Sequence, residues 1–399
     1  MLYLYNSLTR TKEKFVPLKD KKVKIYVCGI TPYDTTHLGH AFTYVFFDVL
    51  VRYLNYKGYE VIYTQNVTDI DDDILKKATE EKRDWRELGN FWTNKFLADM
   101  KSLNVLPPTH FVKATGSISS MVQIIELLIK KSFAYQRNGN VYFEIRKFKD
   151  YGKLSHFNKK QMVLLSKERG GNPDDPLKKD PLDFLLWQKL RPDEPSWESP
   201  FGKGRPGWHI ECSSMIQRFL GEQIDVHGGG RDLIYPHHES EIAQSESFTG
   251  EKPFVRFWMH TAMLLYLGEK MAKSLGNLIM VDSLLKHYSA NVIRWTLLSH
   301  HYRTPWEFDQ NELKDAEKNV SLVFNTIKNN SSENLINTEG LNLRHFVSLM
   351  DDDLSTPDAL KFVLRLAITA RKEKNKTKAK ELQQVIKTGL FILGFNFSK

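Results

Sequence analysis

The sequence predicts an α/β chain: a parallel sheet of the βαβ kind, split by an insertion and followed by an all-α bundle. Three observations carry this. Residues 23–27 (Val-Lys-Ile-Tyr-Val) alternate and are rich in β-formers, and from His37 the apolar residues Phe42, Phe46, Val49 and Tyr53 recur at helical spacing. Between about 85 and 200 the pattern loosens, with prolines and glycines between shorter pieces. From about Asn311 onward only helical patterning remains.

Taken in order, residues 1–21 read as a short strand or hairpin with a basic segment. A strand at 23–28, a helix at 37–56 and a strand at about 59–65 make a βαβ unit of the nucleotide-binding kind, whose working edge lies at the carboxyl ends of its strands. The run Asn66-Val67-Thr68-Asp69 follows the second strand, and polar residues there suit ligand contacts; Thr68 and Asp69 suit helix capping equally well. Helices near 85–103 and 117–131 and a β-like piece at 139–145 fill the insertion. The second half opens at Gly204 and continues through a strand at 224–226. Gly228, Gly229 and Gly230 then predict a turn bringing backbone close to a ligand, with Asp232 placed for a ribose hydroxyl. A helical region spans 281–301. Thr356-Pro357-Asp358 starts a later helix, with Thr356 as cap. The division expected is 1–84 and 201–268 for the two halves of the catalytic domain, 85–200 for the insertion, 269–312 for a loop and helical region, and 313–399 for the bundle.

With 57 Lys and Arg against 48 Asp and Glu, the formal charge is +9, and a pI near 9.1 suits a polyanionic partner or a lysine-rich solvated surface. No run of about 18 apolar residues exists, which excludes a spanning helix. The N-terminus lacks the layout of a signal peptide, so a cytoplasmic location is expected. There the two cysteines, Cys28 and Cys212, read as metal ligands or reactive thiols rather than a disulfide.

Two constellations carry chemistry. His37-Leu38-Gly39-His40 falls on the first turn of a helix, where free N–H groups and the helix dipole favour phosphate. Two imidazoles, with Gly39 leaving room for close approach, would cradle a reacting α-phosphate. Cys28, Cys212, His237 and Glu241 all fall at strand ends or helix starts on the same sheet edge. His237 and Glu241 are spaced i, i+4, and thiolate, thiolate, imidazole and carboxylate make a zinc set. His238 or Glu239 could take a place in it.

His37-Leu38-Gly39-His40 resembles the His-Ile-Gly-His signature of class I aminoacyl-tRNA synthetases. Lys270-Met271-Ala272-Lys273-Ser274 resembles their Lys-Met-Ser-Lys-Ser loop, with Ala272 where the family usually has Ser. Cys28-Gly29, Gly207-Trp208-His209-Ile210-Glu211-Cys212 and the run from Pro236 to Glu246 are similar to the cysteinyl-tRNA synthetase family over nearly residues 1–370. The resemblance implies a class I synthetase Rossmann-like catalytic domain split by a connective insertion. It implies one zinc ion held by Cys28, Cys212, His237 and Glu241 that binds the sulfur of L-cysteine, with ATP and Mg²⁺ as the activating pair. It implies catalytic roles for His37, His40, Lys270 and Lys273. It implies adenylate contacts from Gly29, Ile30, Thr31, Thr43, Asn66, Gly230, Arg231, Asp232, Leu264 and Ser274, and cysteine contacts from Cys28, Thr68 and Trp208. Zinc binds a thiolate far better than an alcohol, so cysteine is told from serine by a bond only one of them forms.

A second branch of the same fold, the cysteine ligases of mycothiol biosynthesis, passes cysteine to the amine of glucosaminyl-inositol. Gly29 to Asp34, Glu168 to Pro173 (Asn172 stands where that branch usually has Asp) and Asp180 to Asp183 resemble it. So does the extent of the chain, which lacks the synthetases' small C-terminal anticodon-binding module. Glu241 and the opening Leu4 to Arg10 resemble the synthetases, and the lysines of the last bundle suit RNA. The expected acceptor is the end of tRNA(Cys), with the amino-sugar as the alternative, and the chain is expected to act as a monomer away from any membrane. Intact histidines and loop lysines speak against an idle paralogue that only binds RNA or cysteine.

Overall fold

The computed structural model describes residues 1–34, 36–271, 275–327 and 340–397. Among the described residues, five strands form the central sheet: β1 (Lys22–Ile30), β2 (Glu60–Val67), β3 (His110–Lys113), β4 (Ile224–Gly230) and β5 (Val255–Thr261). All pair in parallel, in the order β5-β4-β1-β2-β3. The chain steps from β1 to one side through β2 and β3, then returns to build β4 and β5 on the other. The order therefore reverses between β1 and β4, and in such sheets a ligand crevice opens at the carboxyl ends on either side of that point.

Alternation along β1 divides its side chains between two cores. Val23, Ile25 and Val27 enter one with helix α1 (Leu38–Tyr56) and the bundle, while Tyr26 and Cys28 enter the other with the insertion. Helix α1 crosses from β1 to β2 and buries Phe42, Val45, Phe46, Val49 and Tyr53. A separate antiparallel sheet contains Ala134–Arg137, Asn140–Phe143, Phe184–Lys189 and Gly204–Pro206. The edge strand β3 comes from within 85–200, so the chain revisits the central sheet before leaving for this second layer.

Two local expectations are corrected. The run Gly228 to Gly230 is not a turn after a strand: it is the carboxyl end of β4, paired with Met259, His260 and Thr261. The missing side chains make room, since a Cβ on Gly228 would lie 2.1 Å from the ring of Phe47 on α1. Thr356 is not a cap but the first residue of its helix, Thr356–Lys372; Ser355 holds the cap position and its Oγ donates to Asp358 at 2.8 Å.

The helices Gln310–Ile327, Leu341–Asp351, Thr356–Lys372 and Lys376–Ile392 pack together as a bundle. A clasp at 351–354 seats it on the rest of the chain. Asp353 accepts from Tyr5 N at 2.8 Å, Tyr302 OH at 2.7 Å and Arg303 Nε at 2.6 Å, and Asp351 accepts from Tyr53 OH at 2.8 Å.

Candidate active site

The carboxyl ends of β1, β2, β4 and β5 bring together Cys28 to Ile30, Asn66 and Val67, His227 to Gly230, and His260 and Thr261. Two helices add the remaining ligand candidates. Helix α2 (Trp208–Phe219) carries Trp208, Glu211 and Cys212, and helix α3 (His237–Thr249) carries His237 and Glu241 one turn apart.

These four donors meet. One donor atom each from Cys28, Cys212, His237 and Glu241 lie within 4.8 Å of one another, all buried. Cys28 Sγ and Cys212 Sγ are 3.8 Å apart, His237 Nε2 is 3.4 Å from Cys212 Sγ, and it is 2.9 Å from Glu241 Oε1. Zinc–sulfur bonds of about 2.3 Å at a tetrahedral ion put two thiolates about 3.8 Å apart. Donor chemistry and spacing therefore both fit zinc. Burial and the neighbouring Cys212 push the Cys28 thiol up. Burial would raise Glu241 as well, but His227 and His237 outweigh it and hold the carboxylate down at about 2. Thiols and a carboxylate crowded together and buried favour a soft divalent cation that neutralises them.

A second donor set, Cys28, His227, His238 and Glu241, satisfies the same spacing and shares two members with the first. His238 Nε2 lies 3.3 Å from Cys28 Sγ, so it borders the cluster. Glu239 is excluded: its carboxylate accepts from the N–H groups of Gly152 at 2.9 Å and Ser155 at 2.8 Å, pinning an insertion loop instead.

Around the cluster runs a ring of groups, of which His209, Glu211, His227 and His260 are not singled out by the sequence motifs alone. His227 Nε2 is 2.7 Å from Glu241 Oε2, and His209 Nδ1 is 3.0 Å from His237 Nδ1, so each orients a ligand through its far side. His238 Nδ1 is 2.8 Å from His260 Nε2, whose Nδ1 is 2.8 Å from Ser7 Oγ. Trp208 stacks on His237 with centroids 4.3 Å apart. Thr68 is not a cap: its hydroxyl donates to Glu211 Oε2 at 3.0 Å, and Asp71 caps the helix Asp72–Glu81 instead. Burial raises the Glu211 carboxyl well above its ordinary value. Only the Gly-Trp-His-Ile-Glu-Cys motif could have pointed to Glu211.

The second constellation lies at the start of α1. His37 is its N-cap, and Nδ1 accepts from the N–H of Gly39 at 3.1 Å and of His40 at 3.4 Å. The two imidazoles stack with centroids 3.8 Å apart. Gly39 leaves room for the ring of His37, since a Cβ there would meet His37 Cε1 at 2.9 Å. Burial pushes His37 down to about 4 and His40 well below its ordinary value, so both are neutral at pH 7. Thr43 Oγ1 lies 2.8 Å from Thr261 Oγ1, joining α1 to β5. Gly29 N donates to Asn66 Oδ1 at 2.8 Å across the β1–β2 edge. Ile30 is buried at the end of β1 and Thr31 follows it half-buried, Arg231 and Asp232 are exposed just past β4, and Leu264 is buried in a short strand, Leu264–Tyr266.

The lysine loop is hung between two anchors. Met271 N donates to Leu264 O at 3.2 Å on one side; on the other, Leu38 N donates to Ile279 O at 2.8 Å and Val281 N to Thr36 O at 3.0 Å. Its far flank is thus bonded to the helix start that carries His37. Lys273 and Ser274 lie outside the described residues, as does the side chain of Lys270.

A parallel sheet with this strand order, the two histidines at a helix start and a lysine loop tied to that start define a class I aminoacyl-tRNA synthetase. The tRNA synthetases class I (C) catalytic domain family matches residues 14–318, and the DALR domain family matches 345–398. The chain belongs to the class I (C) tRNA synthetases, which are ligases.

The cysteine–tRNA ligase of Thermococcus onnurineus (strain NA1) is 45% identical over 379 residues, covering 91% of this chain and 79% of its own. That of Legionella pneumophila (strain Corby) is 45% identical over 397 residues, covering 99% and 85%. Among solved structures, Mycobacterium tuberculosis methionyl-tRNA synthetase in complex with methionyl-adenylate superposes with a TM-score of 0.64 at 14% identity, covering 93% of this chain and 89% of its own. The ternary complex of Agrobacterium radiobacter K84 agnB2 LeuRS-tRNA-LeuAMS gives 0.67 at 11% identity, covering 95% and 84%. At such identities these two show a shared fold.

Proposed function

We propose that this chain activates L-cysteine with ATP and transfers it to the acceptor end of tRNA(Cys). The observation that carries the reading is the buried Cys28, Cys212, His237 and Glu241 cluster in the same crevice as a His37/His40 helix start. The names of the relatives above support the same amino acid and the same acceptor. The chain acts as a monomer in this reading.

In the first step the cysteine carboxylate attacks the α-phosphorus of ATP and pyrophosphate leaves. His37 and His40, neutral and stacked, hold the α-phosphate region by hydrogen bonds. Backbone and side chains at Gly29, Ile30, Thr31, Thr43, Asn66, Gly230, Arg231, Asp232, Leu264 and Ser274 seat the nucleotide. Lys270 and Lys273 neutralise the departing pyrophosphate, which carries Mg²⁺. Cys28, Cys212, His237 and Glu241 would hold zinc, which supplies a soft Lewis acid for the substrate's sulfur. Trp208 walls the small pocket, and Thr68 offers a polar contact to the amino acid. In the second step a terminal ribose hydroxyl of the tRNA attacks the cysteinyl carbonyl and AMP leaves. Positioning and charge stabilisation account for most of the acceleration in this scheme.

The test is cysteine-dependent exchange of pyrophosphate into ATP, followed by labelled cysteine offered with tRNA(Cys) or with glucosaminyl-inositol. Exchange with cysteine but not serine, and label on the tRNA, is the expected result. Label on the amino-sugar alone would overturn the acceptor, and no exchange would overturn the activity.

A further inference from the structure

The peptide between Cys28 and Gly29 is gripped at both ends by side chains of other elements. Strand β1 slips by one residue against β2 at this point, since Val27 pairs with Gln65 but Ile30 pairs with Val67. Its pairing with β4 runs only as far as Val27. An extra residue of this kind bends a strand and re-aims its side chains. The change of step is visible in the packing: Val27 and Ile30, three apart, lie in the same core, where regular alternation would have placed 27 and 29. At the step itself the peptide's carbonyl, Cys28 O, accepts from Tyr44 OH at 3.1 Å, and its amide, Gly29 N, donates to Asn66 Oδ1 at 2.8 Å. The backbones approach this closely because Gly29 has no side chain, as a Cβ there would lie 1.5 Å from Asn66 O.

Tyr44 belongs to the helix that starts with the two histidines. It stands four residues after His40 and seven after His37, so the three project from one face of α1. The phenol is buried, and its ring packs edge-on against Phe96 of the helix Trp85–Ser102, with centroids 5.1 Å apart. That contact fixes the direction in which the hydroxyl points. One rigid helix thus ties the His37 and His40 pair to the backbone of Cys28, a member of the donor cluster.

We propose that Tyr44 is a positioning residue: its hydroxyl fixes the Cys28–Gly29 peptide, and so sets the place of the substrate's sulfur relative to the histidines that hold the α-phosphate. The proposal rests on the reading of the chain as a cysteine-activating enzyme. In that reading the amino acid is anchored by its sulfur on the cluster, while its carboxylate must meet a phosphorus anchored at the start of α1. The two anchors sit on different elements, and a misplacement of about 1 Å between reacting groups costs about a hundredfold in rate. The hydrogen bond from Tyr44 to Cys28 O joins those elements directly.

The test compares two variants of the full chain. Tyr44→Phe deletes the hydroxyl and keeps the ring; Phe96→Leu loosens the ring and keeps the hydroxyl. Both lower the melting temperature, so stability does not separate them, but zinc retention against a coloured chelator does. Tyr44→Phe holds zinc about tenfold or more weakly, the loss typical of a missing support behind a ligand, and Phe96→Leu holds it as the unmodified chain does. With zinc saturating, Tyr44→Phe also loses about tenfold or more in kcat for cysteine-dependent pyrophosphate exchange, while its KM for ATP is unchanged. Zinc retention or kcat equal to that of the unmodified chain overturns the proposal, as does an equal loss of zinc in both variants, which would assign the effect to ring packing. Absence of exchange by the unmodified chain would sink the assigned reaction instead, and zinc retention would still decide whether Tyr44 supports Cys28.

Discussion

Arg294 and Asp48 form an ion pair with 1% and 0% of their side chains exposed, and they join the catalytic domain to the last helix of the bundle. The guanidinium also donates to Leu103 O at 3.0 Å and to Leu393 O at 2.7 Å. Asp48 is saturated in turn by Arg52 Nε at 3.0 Å and Leu106 N at 2.9 Å. Both Asp48 oxygens and all three guanidinium nitrogens of Arg294 have a partner, which is the condition under which a buried pair holds. Removing one partner leaves the other charged and dry. Asp48→Ala and Arg294→Ala are each expected to cost about 3–5 kcal/mol in urea unfolding. Arg294→Lys cannot span three acceptors and recovers little. A cost below about 1 kcal/mol would show that the hub is dispensable.

Gly228 predicts a clash that a second change can relieve. Its Cβ would sit 2.1 Å from Phe47 Cζ, inside a packed core. Gly228→Ala is expected to lose about 1–3 kcal/mol, and Phe47→Leu in the same chain to recover part of that, so the double variant is more stable than the sum of the singles. Gly29 differs, because its Cβ would meet the backbone oxygen of Asn66 at 1.5 Å. Gly29→Ala should cost more than Gly228→Ala, with no compensating side-chain change available. Strict additivity of Gly228→Ala and Phe47→Leu in thermal melts would contradict the clash.

What could be read beforehand followed from short range. His37 at a helix start and His237 and Glu241 one turn apart depend only on local spacing, and both are found. The glycine run misled because its extended conformation is set by pairing with Met259 to Thr261, and the room that Gly228 leaves is taken by Phe47, 181 residues earlier in the chain. Helix α3 is the other instructive case. Its residues His237 to Phe248 are all buried, yet His-His-Glu-Ser-Glu-Ile-Ala-Gln-Ser-Glu-Ser-Phe has almost no apolar stripe. Its glutamates find partners at distant points: Glu239 on the 152–155 loop, Glu241 on His227, and Glu246 on Lys153 at 2.7 Å. The orienting roles of His227 and His260 belong to the same category, since the pairing of β4 with β5 brings these two histidines to the rim of the cluster.

His227 is expected to tune metal affinity without being a ligand of the Cys212 set. It holds the outer oxygen of Glu241 at 2.7 Å while Oε1 faces His237. Losing such an orienting partner typically weakens a metal site about 10–100-fold. His227→Ala should therefore retain less zinc than the unmodified chain in competition with a coloured chelator, whereas Cys212→Ser should lose it outright. Stripping the metal should also lower the melting temperature, because an ion that binds only the folded chain stabilises it. Equal zinc retention by His227→Ala and the unmodified chain would show that Glu241 needs no support.

Asp180 gives a pH dependence whose sign follows from its partners. The side chain is 1% exposed, and it accepts from Lys159 Nζ at 2.8 Å, Arg146 Nε at 2.9 Å and Leu182 N at 3.1 Å, fastening the insertion loop to the helix Lys159–Glu168. Burial raises its carboxyl, but Lys159, the Leu182 amide and Arg146 together outweigh that and hold it below its ordinary value. A carboxyl depressed in the folded state stabilises the fold fully above its unfolded value of about 3.9. That stabilisation is lost as pH falls through the folded value. Asp180→Asn, which cannot ionise, should be less stable than the unmodified chain at pH 7 by about 1 kcal/mol, the worth of hydrogen bonds to a charge whose cationic partners stay hydrated. The gap should close between about pH 4 and pH 2, as the native carboxyl takes up its proton. Urea titrations of both chains across that range check it, and a gap of constant size down to pH 2 would mean that the charge on Asp180 contributes nothing.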